Sequence, residues 1–378
     1  MITRSQIGVH VSVAMWLVVI AACSGIVPAC GSSIAADEHV VLFPAFAVED
    51  GGAGWTARVG GWIYEPMQGD QRRLLLGELE TLLRQKFDLS VETTAPAAGI
   101  AAPYFADRAG LFLADNERRK RVRVTIGGST FTLGQSELNG HFEGDVTLSG
   151  SHRPGEWMEL RAVTPAGDTR DFKGKVQFIG RRGVSVVSDI DDTIKDSNVL
   201  NRRELGANTF LRDFRAAPGM AALYQRWAAS GDVVFHYVSG SPYQLYPALS
   251  DFTRRDAFPE GSFHLRKFRL RDRSALDFFG DPLEFKIGVI EPLMRRFAER
   301  TFVFVGDSGE RDAEVYGTLA SRFPNQVAAI LIRDVGGTGL TSPNVVQLYA
   351  KLPAHIERRV FRDTRELEGF TPSPRVAR

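Results

Sequence analysis

The chain has 378 residues, 44% of them hydrophobic and 24% charged, and its 46 Lys and Arg against 45 Asp and Glu leave a formal net charge of +1. That length carries roughly two domains, the composition is that of a globular protein, and the charge balance excludes the basic field that gathers nucleic acid. Both cysteines, Cys23 and Cys30, lie near the N-terminus, so the predicted mature domains have no thiol for a disulfide framework, a Cys-based metal site or a Cys nucleophile.

Residues 1–36 read as a leader. Arg4 stands before an apolar run over residues 11–20 of the length of a signal-peptide core. Ile20-Ala21-Ala22-Cys23 resembles the bacterial lipobox, in which the cysteine becomes lipid-modified and N-terminal, and Cys30 after Val27-Pro28-Ala29 fits that pattern less well. Cleavage near Ser33-Ile34-Ala35-Ala36 would instead release a soluble protein. Uncut, residues 11–29 are just long enough to span a bilayer. The expectation is export to the cell envelope or periplasm with a lipid anchor on Cys23, with simple secretion and an uncleaved anchor as the alternatives.

Residues 37–182 read mostly as short strands separated by Gly, Asn and Asp turn signals, with candidates at 39–48, 55–64, 121–126, 129–133, 140–148, 158–163 and 173–178. Arg121-Val122-Arg123-Val124-Thr125-Ile126 alternates charged with apolar side chains, as a half-buried strand should. This spacing predicts a β-rich, sandwich-like domain. One helix is inserted over 71–87, where Leu75, Leu76, Leu79, Leu82 and Leu83 form an apolar stripe, and the Ala/Pro/Gly-rich residues 95–103 read as a loop. No catalytic constellation is visible here, and support is the expected role.

From residue 183 the pattern changes. Apolar strands at 184–187, 233–238, 302–305 and 327–332 alternate with helices predicted at 219–229, 244–252, 287–299 and 312–322. That alternation predicts a doubly wound, mostly parallel α/β sheet over 183–362. The residues from 363 to 378, with two prolines and several charges, read as a disordered tail.

Four signals fall at the element boundaries of this second domain. Val184-Ser185-Val186-Val187 runs into Ser188-Asp189-Ile190-Asp191-Asp192-Thr193. Clustered acids repel one another and call for a bound cation, and ligands of open α/β sheets sit beyond the carboxyl ends of the strands. The second strand ends in Ser239-Gly240-Ser241-Pro242, Lys286 precedes a helix, and the third strand ends in Gly306-Asp307-Ser308-Gly309-Glu310-Arg311-Asp312. Each has a bland reading: a solvated acidic turn, a turn-capping serine, a surface lysine, an acid at a helix N-terminus. Asp192 and Thr193 read as structural, His236 as a packed core histidine, and Lys195, Asp196 and Asn198 as candidates to face the pocket.

In this order on these elements, the four signals resemble the signature of the haloacid-dehalogenase-like phosphohydrolases. The physical roles are coherent. Asp189 at the strand tip is placed to attack phosphorus, and Asp191 to serve as general acid and then base. A Mg²⁺ ion would relieve the repulsion between phosphate and carboxylates. The resemblance implies metal ligation by Asp189, the backbone carbonyl of Asp191, and Asp307, with Asp312 as a direct or water-mediated helper. It also implies that Ser239 (with Ser241 as substitute) and Lys286 hold the phosphoryl oxygens. The wording around the motifs is narrower. Asp189-Ile190-Asp191-Asp192-Thr193-Ile194-Lys195, Ser239-Gly240-Ser241-Pro242-Tyr243, Gly306-Asp307-Ser308-Gly309-Glu310-Arg311-Asp312 and Ile330-Leu331-Ile332-Arg333-Asp334 are similar to the phosphatidate phosphatase catalytic domain of the actin-patch-protein type. Ala313 departs from it where proline is expected. That resemblance implies Mg²⁺-dependent removal of phosphate from phosphatidic acid at a membrane surface. The gaps between the first two strands and from Ser239 to Lys286 are too short for a large cap domain, which predicts a minimal cap and an accessible site. A non-lipid phosphoester or phosphoprotein, and a non-catalytic envelope binding protein, are the alternative functions.

Overall fold

In the computed structural model the described residues are 32–50, 54–89, 103–267, 282–337 and 340–374. Residues 1–31 of the expected leader, with Cys23, and residues 95–102 of the expected loop lie outside them, while Ile34 of that leader is buried in the core of the first sheet and Pro103 begins a helix. Residues Ser33–Arg378 form one compact unit. No helix among the described residues is long and apolar enough to cross a membrane.

The first sheet is organised around one long strand, β3 (Gly54–Glu65), after β1 (His39–Leu42) and β2 (Ala45–Glu49). Trp55, Ala57 and Val59 of β3 are buried on one face while the residues between them are half-exposed, the period-two pattern of a sheet with one wet face. β1 pairs His39 with Tyr64 and β2 pairs Phe46 with Arg58, so one extra residue lies between the two strands. The interruption falls at Phe43 and Pro44, as it must where proline cannot donate to a ladder. The chain continues through α1 (Gly69–Phe87), α2 (Pro103–Gly110), β4 (Asp115–Asn116), β5 (Arg121–Ile126), β6 (Ser129–Gln135), β7 (His141–Ser149), β8 (Trp157–Ala162) and β9 (Lys173–Ile179). Turn spacing suggested a sandwich of two sheets. The described strands instead join by hydrogen bonds into one nine-stranded sheet in the order β1-β3-β2-β9-β8-β5-β6, with β4 and β7 on β3. It curls round its own apolar core of Val40, Ala57, Val122, Leu160 and Phe178, and Gly144 of β7 comes to rest against Leu133 of β6.

The second sheet comprises β10 (Val184–Ser188), β11 (Val233–Pro242), β12 (Gly261–Arg266), β13 (Thr301–Asp307), β14 (Val327–Arg333) and β15 (Glu357–Phe361). All its pairings are parallel, in the order β12-β11-β10-β13-β14-β15. Helices α3 (Arg202–Phe210), α4 (Met220–Ala228), α5 (Tyr246–Arg255), α6 (Pro282–Arg296), α7 (Asp312–Arg322) and α8 (Pro343–Ala350) connect the strands. Val184 and Val186 belong to one apolar cluster and Val187 to another; Val303 and Val305 are set against Phe302 and Phe304 in the same way. Burial on both faces explains why these strands read as unbroken apolar runs. The strand order reverses between β10 and β13, the switch point where open α/β sheets bind ligands. β12 and β15, both edge strands with charged or small residues, were not expected from the sequence.

The two sheets share a core. Phe43, Trp62, Leu83 and Phe87 from the first half lie in one cluster with Val186, Phe210, Tyr237 and Tyr246 from the second. The expected disordered tail is corrected over residues 363–374. A short 3-10 turn, Thr364–Leu367, is fixed by a capping box on Asp363, Leu367 is buried, and the Trp227 indole donates to the Phe370 carbonyl at 3.1 Å. Composition counted the charges of this segment but not its Leu367 and Phe370, which find a docking place only in the folded molecule.

Candidate active site

The parallel register between β10 and β13 builds the site. Ser188 lies opposite Val305, and the Asp189 N–H continues the ladder to the Val305 carbonyl at 2.9 Å. Asp189 therefore falls level with Gly306, and Asp307 leaves the neighbouring strand one residue further on. After Asp189 the chain makes a tight turn in which the N–H groups of Ile194 and Lys195 both donate to the Ile190 carbonyl. Asp192 takes the left-handed conformation, φ 56°, which aspartate tolerates better than most residues. Its carboxylate accepts from the backbone N–H groups of Ser197, Asn198 and Val199 at 2.8, 2.7 and 2.6 Å. Asp192 thus folds the loop that displays its neighbours.

Two clusters result. In the first, carboxylate oxygens of Asp189, Asp307 and Asp312 lie within 4.8 Å of one another and all three residues are buried. The Lys286 ammonium donates to Asp189 Oδ1 at 2.8 Å, to Glu310 Oε2 at 2.9 Å and to Asp312 Oδ1. Asp312 Oδ2 accepts from the Asp307 N–H at 3.2 Å, and Asp307 Oδ1 from the N–H groups of Gly309 and Glu310 at 2.5 and 3.0 Å. A side chain at Gly306 would place its Cβ 2.3 Å from Asp312 Oδ2, so only glycine lets β13 and α7 approach this closely. Asp189 Oδ2 and Asp307 Oδ2 are buried with no hydrogen-bond partner among the described residues.

Four carboxylates face one ammonium here, a buried excess of negative charge. Burial pushes the Asp189 carboxyl well above its ordinary range; Lys286 pulls it back, while Asp312, Glu310 and Asp307 push it further up. Asp307 is raised by burial and then by Asp312 and Glu310. Burial works against the charged form of Lys286, but Asp189, Asp312 and Glu310 outweigh it and hold the ammonium firmly protonated. A donor set made only of oxygen, with two orphaned carboxylate oxygens and surplus negative charge, fits a hard divalent cation such as Mg²⁺.

The second cluster surrounds Asp191. Its Oδ1 is 2.7 Å from the Lys195 ammonium and accepts from Ser197 Oγ at 2.7 Å, while Oδ2 accepts from Ser239 and Ser241 Oγ, both at 3.0 Å. Burial alone would raise this carboxyl, yet the Lys195 charge and the hydrogen bonds from Lys195, Ser197 and Ser241 hold it well below the usual carboxylate range. Two aspartates two residues apart are thereby shifted in opposite directions, Asp189 upward and Asp191 downward.

The sheet thus brings Asp189, Asp307, Asp312 and Lys286 together. Asp191 and Ser239 sit beside them, with the Asp191 side chain committed to Lys195 and the serines rather than to the aspartate trio. Ser241 stands equal to Ser239. Glu310, Lys195 and Ser197 complete the site without having been ranked. Glu310 lies inside the Asp307-to-Asp312 motif and Lys195 four residues after Asp191, so spacing alone could have flagged both. His236 is fully buried with Nδ1 2.7 Å from Ser262 Oγ, a core residue.

The first sheet reaches this site through aromatic rings. Phe43 stacks on Tyr243, directly after the Ser239-to-Pro242 segment, at 4.3 Å between centroids, and meets Tyr246 edge-on at 5.1 Å. His141 lies between Trp62 and Tyr243 at 6.2 and 5.1 Å.

A strand-tip aspartate facing two further aspartates and a buried lysine is an arrangement suited to phosphoryl transfer, and the segment that builds it is similar to a phosphatase domain. Residues 184–334 match the family model described as Phosphatidate phosphatase APP1, catalytic domain. The chain is 35% identical over 159 residues to Phosphatidate phosphatase APP1 of Saccharomyces cerevisiae, an alignment covering 41% of this chain and 27% of the yeast protein. It is 32% identical over 185 residues to an uncharacterized protein of Schizosaccharomyces pombe, covering 48% of this chain and 30% of that one. The matched region is thus less than a third of either curated relative. Among solved structures, a ferredoxin-NADP+ reductase from Plasmodium falciparum covers 86% of this chain at 5% identity with a TM-score of 0.18, a likeness that carries no argument.

Proposed function

We propose that this chain is a Mg²⁺-dependent phosphatidate phosphatase with a haloacid-dehalogenase-like catalytic half, working through an aspartyl-phosphate. The observation that carries the reading is the buried trio of Asp189, Asp307 and Asp312 joined by Lys286, inside the segment similar to a phosphatidate phosphatase catalytic domain.

Asp189, Asp307 and Asp312 would hold the cation, which supplies positive charge against phosphate and carboxylates when bound. One oxygen of the Asp189 carboxylate attacks phosphorus as the bond to the leaving oxygen breaks, and Asp191 delivers a proton to that oxygen. Asp191 is ionised at rest; the negative phosphoryl group arriving beside it raises its proton affinity, so that it takes up a proton from solvent before passing it to the leaving oxygen. In the second half Asp191 takes a proton from a water that attacks the aspartyl-phosphate, freeing Asp189 and inorganic phosphate. Ser239, Ser241 and Lys286 would orient the phosphoryl oxygens. The exported, lipid-anchored state is likewise a proposal, supported by the apolar run over residues 11–20 and by Cys23.

The test is phosphate release from phosphatidate vesicles with Mg²⁺, comparing the full chain with Asp189→Asn. The expected loss in the variant is at least ~10³-fold. Turnover of a soluble aryl phosphate without release from vesicles would remove phosphatidate as substrate, and release undiminished in Asp189→Asn would remove the nucleophile.

A further inference from the structure

The three donors of Lys286 are all engaged: by Asp189, by Asp312 and by Glu310. An ammonium has no fourth hydrogen to offer, so a phosphoryl oxygen can bond to this lysine only by displacing one of the three. Asp189 and Asp312 have fully buried side chains, and Asp312 is also tied to the Asp307 N–H at 3.2 Å. Glu310 differs from both. Its side chain is 21% exposed, and among the described residues its carboxylate bonds to Lys286 alone. It also stands on the connection between β13 and α7 rather than within either element.

We propose that Glu310 occupies, in the resting protein, the place on Lys286 that a phosphoryl oxygen takes, and that phosphate binds by displacing the Glu310 carboxylate. The proposal rests on the phosphatase reading above, in which Lys286 holds the transferring group. A carboxylate is a negatively charged oxygen acceptor like a phosphoryl oxygen and makes the same charge-assisted bond. It keeps the lysine neutralised while the site is empty. Once displaced it remains close by as a like charge, which weakens the hold on inorganic phosphate and favours product release. Glu310 is then a specificity and release determinant, not a member of the reacting set.

Removing the charge should therefore tighten phosphate binding. Titration calorimetry of the full chain with inorganic phosphate, with and without Mg²⁺, measures this directly. In Glu310→Gln the dissociation constant is expected to fall about tenfold, given a like charge within hydrogen-bonding reach of the same ammonium. The product-inhibition constant and KM with an aryl phosphate should fall with it. Glu310→Ala should tighten binding likewise and carries the test should the amide variant fold poorly. Glu314→Gln, which alters an acid paired with Arg311 at 2.6 Å on the next turn, should leave the dissociation constant unchanged. Unchanged or weaker phosphate binding in both Glu310 variants would show that Glu310 merely steadies Lys286 and overturn the proposal. Equal tightening in Glu314→Gln would assign the effect to net charge and overturn it as well. Absence of phosphate binding in every form, wild type included, would overturn the phosphatase reading and this proposal together.

Discussion

Two groups of charge, one on each sheet, are placed in opposite ways. On the nine-stranded sheet, Arg58 pairs with Glu143 and Asp145, and Arg161 with Glu159 and Asp171, all with side chains at least 40% exposed. On the parallel sheet, Asp189, Lys286 and Asp312 are at most 1% exposed, and the groups they meet are charged. Exposed pairs form at little cost and yield little stability. Buried like charges cost several kcal/mol per ion unless something compensates them, so their persistence at the tips of β10 and β13 marks the half of the molecule that works on a ligand. The first sheet instead meets the site with apolar rings, Phe43 against Tyr243.

Removing the central cation should break this contrast most sharply. Lys286→Met leaves Asp189 and Asp312 facing each other with no internal countercharge. Activity toward an aryl phosphate is expected to fall about 10²- to 10³-fold, and stability by ~3 kcal/mol or more. Steady-state kinetics and denaturant unfolding measure the two. Near-normal kcat in a folded Lys286→Met would mean that the lysine serves structure alone.

How much of this arrangement could be read from the sequence follows from the reach of each interaction. Asp189, Asp191 and Asp307 were legible because each follows an apolar run, and a strand end is a local signal. Lys286 and Asp312 were legible only through the order of motifs, since nothing local distinguishes Lys286, which the structure places inside α6 and not ahead of it, from a lysine on a surface. The motif spacing could point to Glu310 but not to its bond with Lys286, 24 residues away, and nothing local pointed to Ser197, whose bond to Asp191 the fold supplies. The curl of the first sheet was missed for the same reason. Alternation specifies that a strand has a wet face, but not which strand pairs with which. Helix α2 escaped notice too: its packing uses Phe105 and Ala109 against distant residues, too short a pattern to stand out.

A smaller effect separates charge as burden from charge as machinery. Asp189 and Asp307 have carboxyl groups raised well above their unfolded range by burial and by the neighbouring carboxylates of Asp312 and Glu310. Groups raised in this way stabilise the fold fully below the unfolded carboxylate pKa, and that contribution is lost as pH rises through their folded values. The metal-free protein should therefore lose thermal stability toward neutral pH. Asp307→Asn should flatten that loss and raise the metal-free Tm at pH 7.5. Added Mg²⁺ at a hundred times its dissociation constant should raise the wild-type Tm by about 3 °C or more, and the variant Tm far less. Scanning calorimetry with and without Mg²⁺ reads both. An equal rise in wild type and variant would remove Asp307 from the metal site.

The smallest expected effect lies on the other sheet. Arg161 is 2.7 Å from Asp171 and bonds to Glu159 as well, with the side chains of all three more than 40% exposed. By distance this group resembles the one at Lys286, and a census of ion pairs would rank them together. Solvent makes the difference. Water and salt screen the exposed charges, each carboxylate released by the substitution is rehydrated at once, and the long side chains regain rotamer freedom. Arg161→Ala should shift Tm by no more than ~1 °C and leave both kcat and KM unchanged. A shift as large as that of Lys286→Met would show that the exposed ladder of charges, and not burial, sets the worth of an ion pair in this protein.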